Sequence, residues 1–433
     1  METNRLLLRP LLWLTLVGSC WANAQSTELA SECEYAPTGP ASVTVGAVEC
    51  LRIDSEMMGG KVPFSYFVPP NCAPETGRRC PVFYWLHGLG GQYNNGGAGG
   101  IGERGQAREA WVRALFSGPR EHPDTVDQPW TLADPADWES RPPIDMIIVT
   151  PHGQTIPGGY GPTPDSPKST GWVDFNPRYA QNGQQPVYDT PPPRNASMII
   201  RELIPYVEKH LPAITGRSGR ALGGVSYGSI GTGIIGLTYP DHFSSLLMMS
   251  GVGVIWPNPC SVSDPDFGPF ASPQEPPFYL PGVGLQPSVD LLVDNQTVYL
   301  GAFGDGFTFD NVYARANHPP ELLPNALAYR GGEQILDIEI SVNDGIPYRA
   351  EDAQDPFNAV ASGLELGLAY LPAQVMEQDA QRLGVEHRYG EREGLHTNPY
   401  WQPYFRQWLE QIYTRVQHWD GSGFRYPQPE VFN

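Results

Sequence analysis

The sequence predicts an α/β fold, in which helices cover both faces of a mostly parallel central sheet. Three short apolar runs, PVFYWL (81–86), MIIVT (146–150) and SSLLMMS (244–250), have the length and composition of buried strands. They alternate with segments of helical spacing, most clearly at 197–211 and 228–239. This alternation is typical of parallel sheets that are covered on both sides.

Long loops rich in glycine and proline interrupt this pattern, most clearly at 88–100 and 256–297. None has the features of a linker between domains, so we expect residues 25–433 to form one domain with long loop insertions. The other predicted strands are at 41–70, 221–225, 298–303, 335–342 and 385–389, and the other predicted helices are at 106–116, 374–383 and 403–416.

The composition narrows the class of function. With 47 acidic and 27 basic residues, the net charge is −20. A nucleic-acid binder, or a protein that binds anionic membranes, needs a basic face, so the charge argues against both. A hydrophobic content of 40% excludes a disordered chain, because it suffices for a large core.

The first 24 residues have the features of a secretory signal peptide. A short apolar run at 11–17 is followed by Ala22-Asn23-Ala24, which fits a cleavage site before Gln25. We therefore expect export to the periplasm or the medium, and no membrane helix in the mature chain, since no later apolar run is long enough. An alternative is a lipobox at 17–20, which would leave a lipid anchor on Cys20.

Export predicts disulfides, because the compartment outside the cytoplasm is oxidising. Cys72 and Cys80 bracket a short, turn-rich loop and are the pair we expect first. Cys33 with Cys50 is the next pair, which leaves Cys260 over. No Cys/His spacing typical of zinc is present, and we expect neither a metal nor an organic cofactor.

The segment Gly224-Val225-Ser226-Tyr227-Gly228 is the strongest catalytic motif in the chain. It follows a predicted strand and opens an apolar helix, which is the context of a nucleophile elbow. Small residues on either side allow the tight turn, and the helix N-terminus favours negative charge at the serine. The pattern therefore predicts Ser226 as a nucleophile.

A serine nucleophile needs a base and an acid that orients the base. His396 is the predicted base, because it lies in a small-residue loop between the last predicted strand and the last helix. Asp344, at the end of the strand ILDIEISVN, is the predicted acid, and Asp305 is the main alternative. Lesser alternatives for the acid are Asp337, Glu339 and Asp352.

Two backbone N–H groups are expected to form an oxyanion hole. One is that of Tyr227, directly after the nucleophile. The other is that of Leu89, in the turn His87-Gly88-Leu89-Gly90-Gly91 after the strand at 81–86. His87 is expected to brace this turn through hydrogen bonds rather than to transfer protons.

Together these segments resemble the esterase D-like branch of the α/β-hydrolases, which includes S-formylglutathione hydrolases, feruloyl and acetylxylan esterases and mycolyltransferases. The matching segments are VFYWLHGLGG (82–91), MIIVTPHG (146–153), 201–233, 239–252 and EGLHTNPYWQPYFRQWL (393–409). The resemblance implies an α/β-hydrolase fold and a role for Ser226, His396 and the Leu89 amide. Tyr400 and Trp401 fit the aromatic pair that follows the histidine in that family.

We therefore expect a secreted serine carboxylic-ester hydrolase that works through an acyl-enzyme. Its partner would be an ester, either a small molecule or an acyl or feruloyl group on a polysaccharide. Trp172 and Trp401 are predicted to contact this substrate. Insertions at 92–145, 255–297 and 304–334 prevent a closer assignment of the substrate. The alternatives are an acyltransferase of the mycolyltransferase type and a non-catalytic binding protein on the same scaffold.

Overall fold

The computed structural model describes residues 45–46, 48–88, 144–153, 172–174, 176, 194–252, 311–328, 336–347, 361–419 and 423–425. Several predicted features lie outside these residues: the signal peptide, the lipobox, the helix at 106–116 and the strand at 298–303.

Eight strands form one mixed sheet in the order β1-β2-β4-β3-β5-β6-β7-β8. The strands are β1 Val48–Ser55, β2 Gly60–Phe67, β3 Val82–Leu86, β4 Ile147–Pro151, β5 Arg220–Val225, β6 Ser245–Met249, β7 Asp337–Asn343 and β8 Arg388–Arg392. β2 runs antiparallel to both of its neighbours, and β3 to β8 are parallel. A separate hairpin pairs β9 His418–Trp419 with β10 Phe424–Arg425.

This strand order, with an antiparallel second strand and a crossover between β3 and β4, is that of the α/β-hydrolase fold. The predicted fold class is therefore confirmed. All five residues of β3, β4 and β6 are buried, as expected of strands covered on both faces. The carboxyl ends of parallel strands meet at one edge of the sheet, which is where an α/β fold places its site.

Apart from three short 3-10 helices (Pro70–Cys72, Pro74–Thr76 and Arg217–Gly219), six helices are described. They are α1 (Asn195–Met198, Ile199–Leu203 and Ile204–His210), α2 Tyr227–Thr238, α3 Asn311–Arg315, α4 Pro319–Ala328, α5 (residues 361–383) and α6 Asn398–Arg415. Two of them contain a π-helical segment, Ile199–Leu203 in α1 and Glu365–Tyr370 in α5. Helix α5 is described from residue 361, 13 residues before the predicted start at Gln374, because the apolar segment 361–373 continues the same helix.

Side chains alternate between the two faces of the sheet, as the pleat of a strand requires. In β3, Tyr84 belongs to the larger apolar layer, which α1, α2, α4 and α5 cover. Phe83 and Trp85 point into the second layer, where Trp408 and Ile412 of α6 cover them. Helices thus lie on both faces of the sheet, as predicted.

The structure contains the predicted disulfide between Cys72 and Cys80. Cys50 is also disulfide-bonded. Cys33, its predicted partner, lies outside the described residues. None of the helices in the described part of the chain is long and apolar enough to cross a membrane.

Candidate active site

Ser226 lies on a tight turn between the end of β5 and the first residue of α2. Its backbone has φ 56° and ψ −121°, a region that residues other than glycine rarely adopt. The N–H of Ser226 donates to the carbonyl oxygen of Met249 at 2.8 Å, which fixes the turn against the end of β6. The predicted elbow is therefore present, with its serine at the carboxyl edge of the sheet.

Glycine at 228 is required by the packing of this elbow. A Cβ there would lie 2.0 Å from the carbonyl oxygen of Leu86, and one at Gly224 would lie 2.4 Å from the backbone of Gly228. Both distances are far inside van der Waals contact, and the obstacles are backbone atoms, which no rotamer change can move. The glycines at 224 and 228 thus allow α2, β5 and β3 to approach one another this closely.

We expect Gly228→Ala to lower the free energy of unfolding by about 3 kcal/mol, since the clash forces the elbow away from β3. Gly363→Ala is the matched control, because a Cβ at this position in α5 meets no atom within 4 Å. The control should raise stability by about 0.5–1 kcal/mol. Urea unfolding of both variants checks this, and equal stabilities would contradict the packing described.

His396 joins Ser226 to a buried carboxylate. Its Nε2 lies 2.7 Å from Oγ of Ser226, and its Nδ1 lies 2.6 Å from Oε2 of Glu365. The histidine side chain is 6% exposed and that of Glu365 is 0% exposed. This is the geometry in which an imidazole removes a proton from a serine while a carboxylate fixes its tautomer.

The carboxylate that faces His396 is thus Glu365 and not the predicted Asp344. Glu365 is the first residue of the π-helical segment of α5, and its Oε1 accepts the N–H of Asn343 at 2.8 Å. Asp344 instead holds the loop before His396, because its Oδ1 accepts the N–H groups of Ile346 and Gly394. The alternative Asp305 lies outside the described residues.

The sequence analysis looked for an acid at the end of a strand, and the structure places a different carboxylate beside His396. β7 ends at Asn343, and the following helix brings a carboxylate back over that strand end. A π-helical segment at this point is consistent with a functional position. One signal was available: Glu365 is the only charged residue in the stretch VASGLELGLAYLPA (360–373), and a lone acid on a buried helix needs a partner.

Of the two predicted oxyanion donors, only Tyr227 lies within the described residues. Tyr227 contributes the first N–H of α2, directly beside Ser226, where the helix dipole favours negative charge. Leu89 lies outside the described residues. The turn before it is braced by His87, whose Nδ1 lies 2.9 Å from the carbonyl oxygen of Gly88 and whose Nε2 accepts the N–H of Gly153.

Burial lowers the pKa of His87 to about 4 and that of the adjacent His152 to about 3. At neutral pH His87 is therefore uncharged. Because its Nε2 accepts from Gly153, its proton is on Nδ1 and donates to Gly88. This arrangement suits a bracing residue and agrees with the role expected for His87.

The two tryptophans predicted to contact substrate are buried. Trp172 is 1% exposed, donates its indole N–H to the carbonyl oxygen of His87 at 3.3 Å, and packs against the imidazole. Trp401 is 5% exposed and lies beside His396. In the described structure the two side chains pack against residues of the site, Trp172 against His87 and Trp401 against His396. Their contact with substrate stays a prediction. Within the described residues, no group of three His, Cys, Asp or Glu side chains could hold a metal ion.

Comparison with known proteins gives a family. Residues 55–275, just over half of the chain, match the family model described as "Putative esterase". No curated protein matches the chain.

Several solved structures are similar. They include the S-formylglutathione hydrolase from Agrobacterium tumefaciens (15% identity, TM-score 0.49, 87% of this chain and 98% of that one). MPT51 of Mycobacterium tuberculosis (13% identity, TM-score 0.43) covers 86% and 99%. A CE1 ferulic acid esterase from Anaeromyces mucronatus (15% identity, TM-score 0.40) covers 88% and 96%. Likenesses this distant indicate no substrate for this chain.

Proposed function

We propose that this chain, which belongs to the esterase family and is a carboxylic ester hydrolase, acts through Ser226, His396 and Glu365. The observation that carries the proposal is the hydrogen-bonded chain from Ser226 Oγ through both nitrogens of His396 to Glu365. The resemblance of the sequence to the esterase D-like branch agrees with this family.

In the first half of the reaction, Nε2 of His396 takes the proton of Ser226 as Oγ attacks the ester carbonyl. The same proton then passes to the departing alcohol, and an acyl-enzyme remains on Ser226. In the second half, His396 takes a proton from water, the hydroxide attacks the acyl carbon, and the proton returns to Ser226. Glu365 accepts from Nδ1–H throughout and stabilises the imidazolium.

Negative charge on the carbonyl oxygen would be stabilised by backbone N–H groups at the elbow. Tyr227 is the donor at the N-terminus of α2, and Leu89 is the proposed second donor. The neutral His87 and the buried Trp172 support this role by holding the backbone of residues 87 and 88. These hydrogen bonds hold the backbone of the two residues that precede Leu89.

We also propose that the protein is exported after removal of residues 1–24. The disulfide between Cys72 and Cys80 supports an oxidising compartment. A substrate outside the cytoplasm would include the acylated or feruloylated polysaccharides expected from the sequence. Acetylated xylan and feruloylated arabinoxylan are therefore tested beside small esters.

The proposal is tested by the pre-steady-state hydrolysis of p-nitrophenyl acetate. An acyl-enzyme that forms faster than it breaks down gives a burst of p-nitrophenol equal to the concentration of active sites. We expect this burst from the wild-type enzyme and none from Ser226→Ala. A wild-type protein that releases no p-nitrophenol from esters of any chain length would reject the proposed function and favour the binding scaffold.

A further inference from the structure

The imidazole of His396 touches a second ring besides its two hydrogen-bond partners. The indole of Trp401 packs against it edge to face, with centroids 5.0 Å apart and planes at 85°. Hydrogen bonds at Nδ1 and Nε2 define a line through the imidazole but leave the ring free to tilt about that line. A packed aromatic ring at its side removes this freedom.

Trp401 is itself held in place by a serine. Its indole N–H donates to Oγ of Ser250 at 2.9 Å, and both residues are buried, at 5% and 1% exposure. A buried indole N–H needs an acceptor, so this hydrogen bond selects one position of the ring. Trp401 is therefore fixed at one edge by Ser250 and presents the rest of the indole to His396.

Ser250 stands in a strained conformation that connects it to the nucleophile. Its φ is 47°, and its N–H donates to the carbonyl oxygen of Ser341 in β7. The preceding residue, Met249, accepts the N–H of Ser226. The following residue, Gly251, packs so closely that a Cβ would lie 2.4 Å from the carbonyl oxygen of Ser226. Strain of this kind persists where the surrounding structure enforces it.

The last residue of β6 and the two that follow it, residues 249–251, thus contact the backbone of the nucleophile and the side chain that packs on the base. We propose that Ser250 and Trp401 are positioning residues that keep the imidazole of His396 aligned with Ser226 through the proton transfers. This assignment rests on the proposed function, and it replaces substrate contact as the main role of Trp401.

The test is a double-mutant cycle on kcat/KM with Trp401→Phe, Ser250→Gly and the double variant. Glycine removes the hydroxyl and adopts φ 47° without strain, so the variant loses the hydrogen bond without an added backbone clash. Each single variant should lose about 10- to 100-fold, since small misplacements of a catalytic group cost this much. Ser250→Gly should cost less than about 3-fold when Trp401 is already phenylalanine, because the hydroxyl then has no indole to hold.

A comparison of leaving groups separates positioning from a loss of folded protein. The alkoxide of an alkyl ester needs the proton from His396 to depart, whereas p-nitrophenolate leaves without one. The single variants should therefore lose about 10-fold more on ethyl acetate than on p-nitrophenyl acetate. A reduced fraction of folded enzyme would lower both rates equally.

Trp408→Phe is the matched control. Trp408 is a buried tryptophan on α6, the helix that also carries Trp401, and its indole packs against Arg392. It should keep both rates within about 3-fold of wild type, as expected for a packing change away from the reacting atoms. Additive losses in the cycle, or equal losses on the two esters, would overturn the proposal. A wild-type enzyme that releases no p-nitrophenol from esters of any chain length would instead overturn the proposed function, so the two failures are distinguishable.

Discussion

Ser226→Ala is expected to lower kcat/KM for p-nitrophenyl acetate by about 10⁴-fold or more, because no acyl-enzyme can form. Steady-state kinetics on a common enzyme preparation measures the loss. The fold should persist, since the serine's structural contribution is its backbone: its N–H pairs with Met249, and alanine keeps this group. Alanine must still adopt φ 56°, so thermal unfolding of the variant is recorded beside its activity.

Ser229→Ala supplies the matched control, because Ser229 lies three residues further along the same buried helix. Its hydroxyl makes no hydrogen bond within the described residues, so its removal leaves no partner unsatisfied. This variant should keep kcat/KM within about 3-fold of wild type. Hydrolysis that survives in Ser226→Ala, or that falls equally in both variants, would contradict a nucleophilic role for Ser226.

Glu365→Gln is expected to lower kcat by about 10³- to 10⁴-fold. In serine hydrolases, an amide in place of the acid leaves the histidine in the wrong tautomer and causes a loss of this size. Glutamine keeps the volume and an oxygen for the N–H of Asn343. It removes the charge that stabilises the imidazolium and offers His396 an amide in place of a carboxylate. Steady-state kinetics over a range of pH checks this.

Asp344→Asn is the comparison variant, because Asp344 is the acid that the sequence predicts. Asparagine retains an oxygen for the N–H groups of Ile346 and Gly394, so the loop before His396 keeps its contacts. We expect kcat within about 3-fold of wild type. A larger loss of kcat in Asp344→Asn than in Glu365→Gln would indicate that Asp344 is the acid and would reject the assignment of Glu365.

The nucleophile elbow was predictable because its sequence signature is local. The glycines at 224 and 228, the apolar strand before Ser226 and the apolar helix after it all lie close together in the chain. Gly224 is required by its contact with Gly228 inside this strand-turn-helix unit, whereas Gly228 is required by its contact with Leu86 in β3, which the local pattern does not show. The position of His396 beside Ser226 was predictable from chain order and loop composition, since the last strand of the main sheet and the last helix flank it.

The carboxylate that contacts His396 was not predictable by the same reasoning, because its position is set by tertiary packing. The backbone of β7 ends where expected, yet the carboxylate comes from a residue 22 positions further on, at the first π-helical turn of α5. Helical periodicity identified only the second half of this helix. The burial of Trp401 was not predictable for a related reason: its partner Ser250 lies 151 residues away in the chain.

The most direct measurement is the reaction of the protein with a fluorophosphonate, followed by peptide mass analysis of the labelled site. The oxygen of an activated serine attacks the phosphorus and displaces fluoride, which leaves a stable phosphonyl adduct on that serine. We predict a single adduct on Ser226, formed at equal rates in wild type and Asp344→Asn and far more slowly in Glu365→Gln. No adduct, or an adduct on another residue, would contradict the proposed catalytic serine.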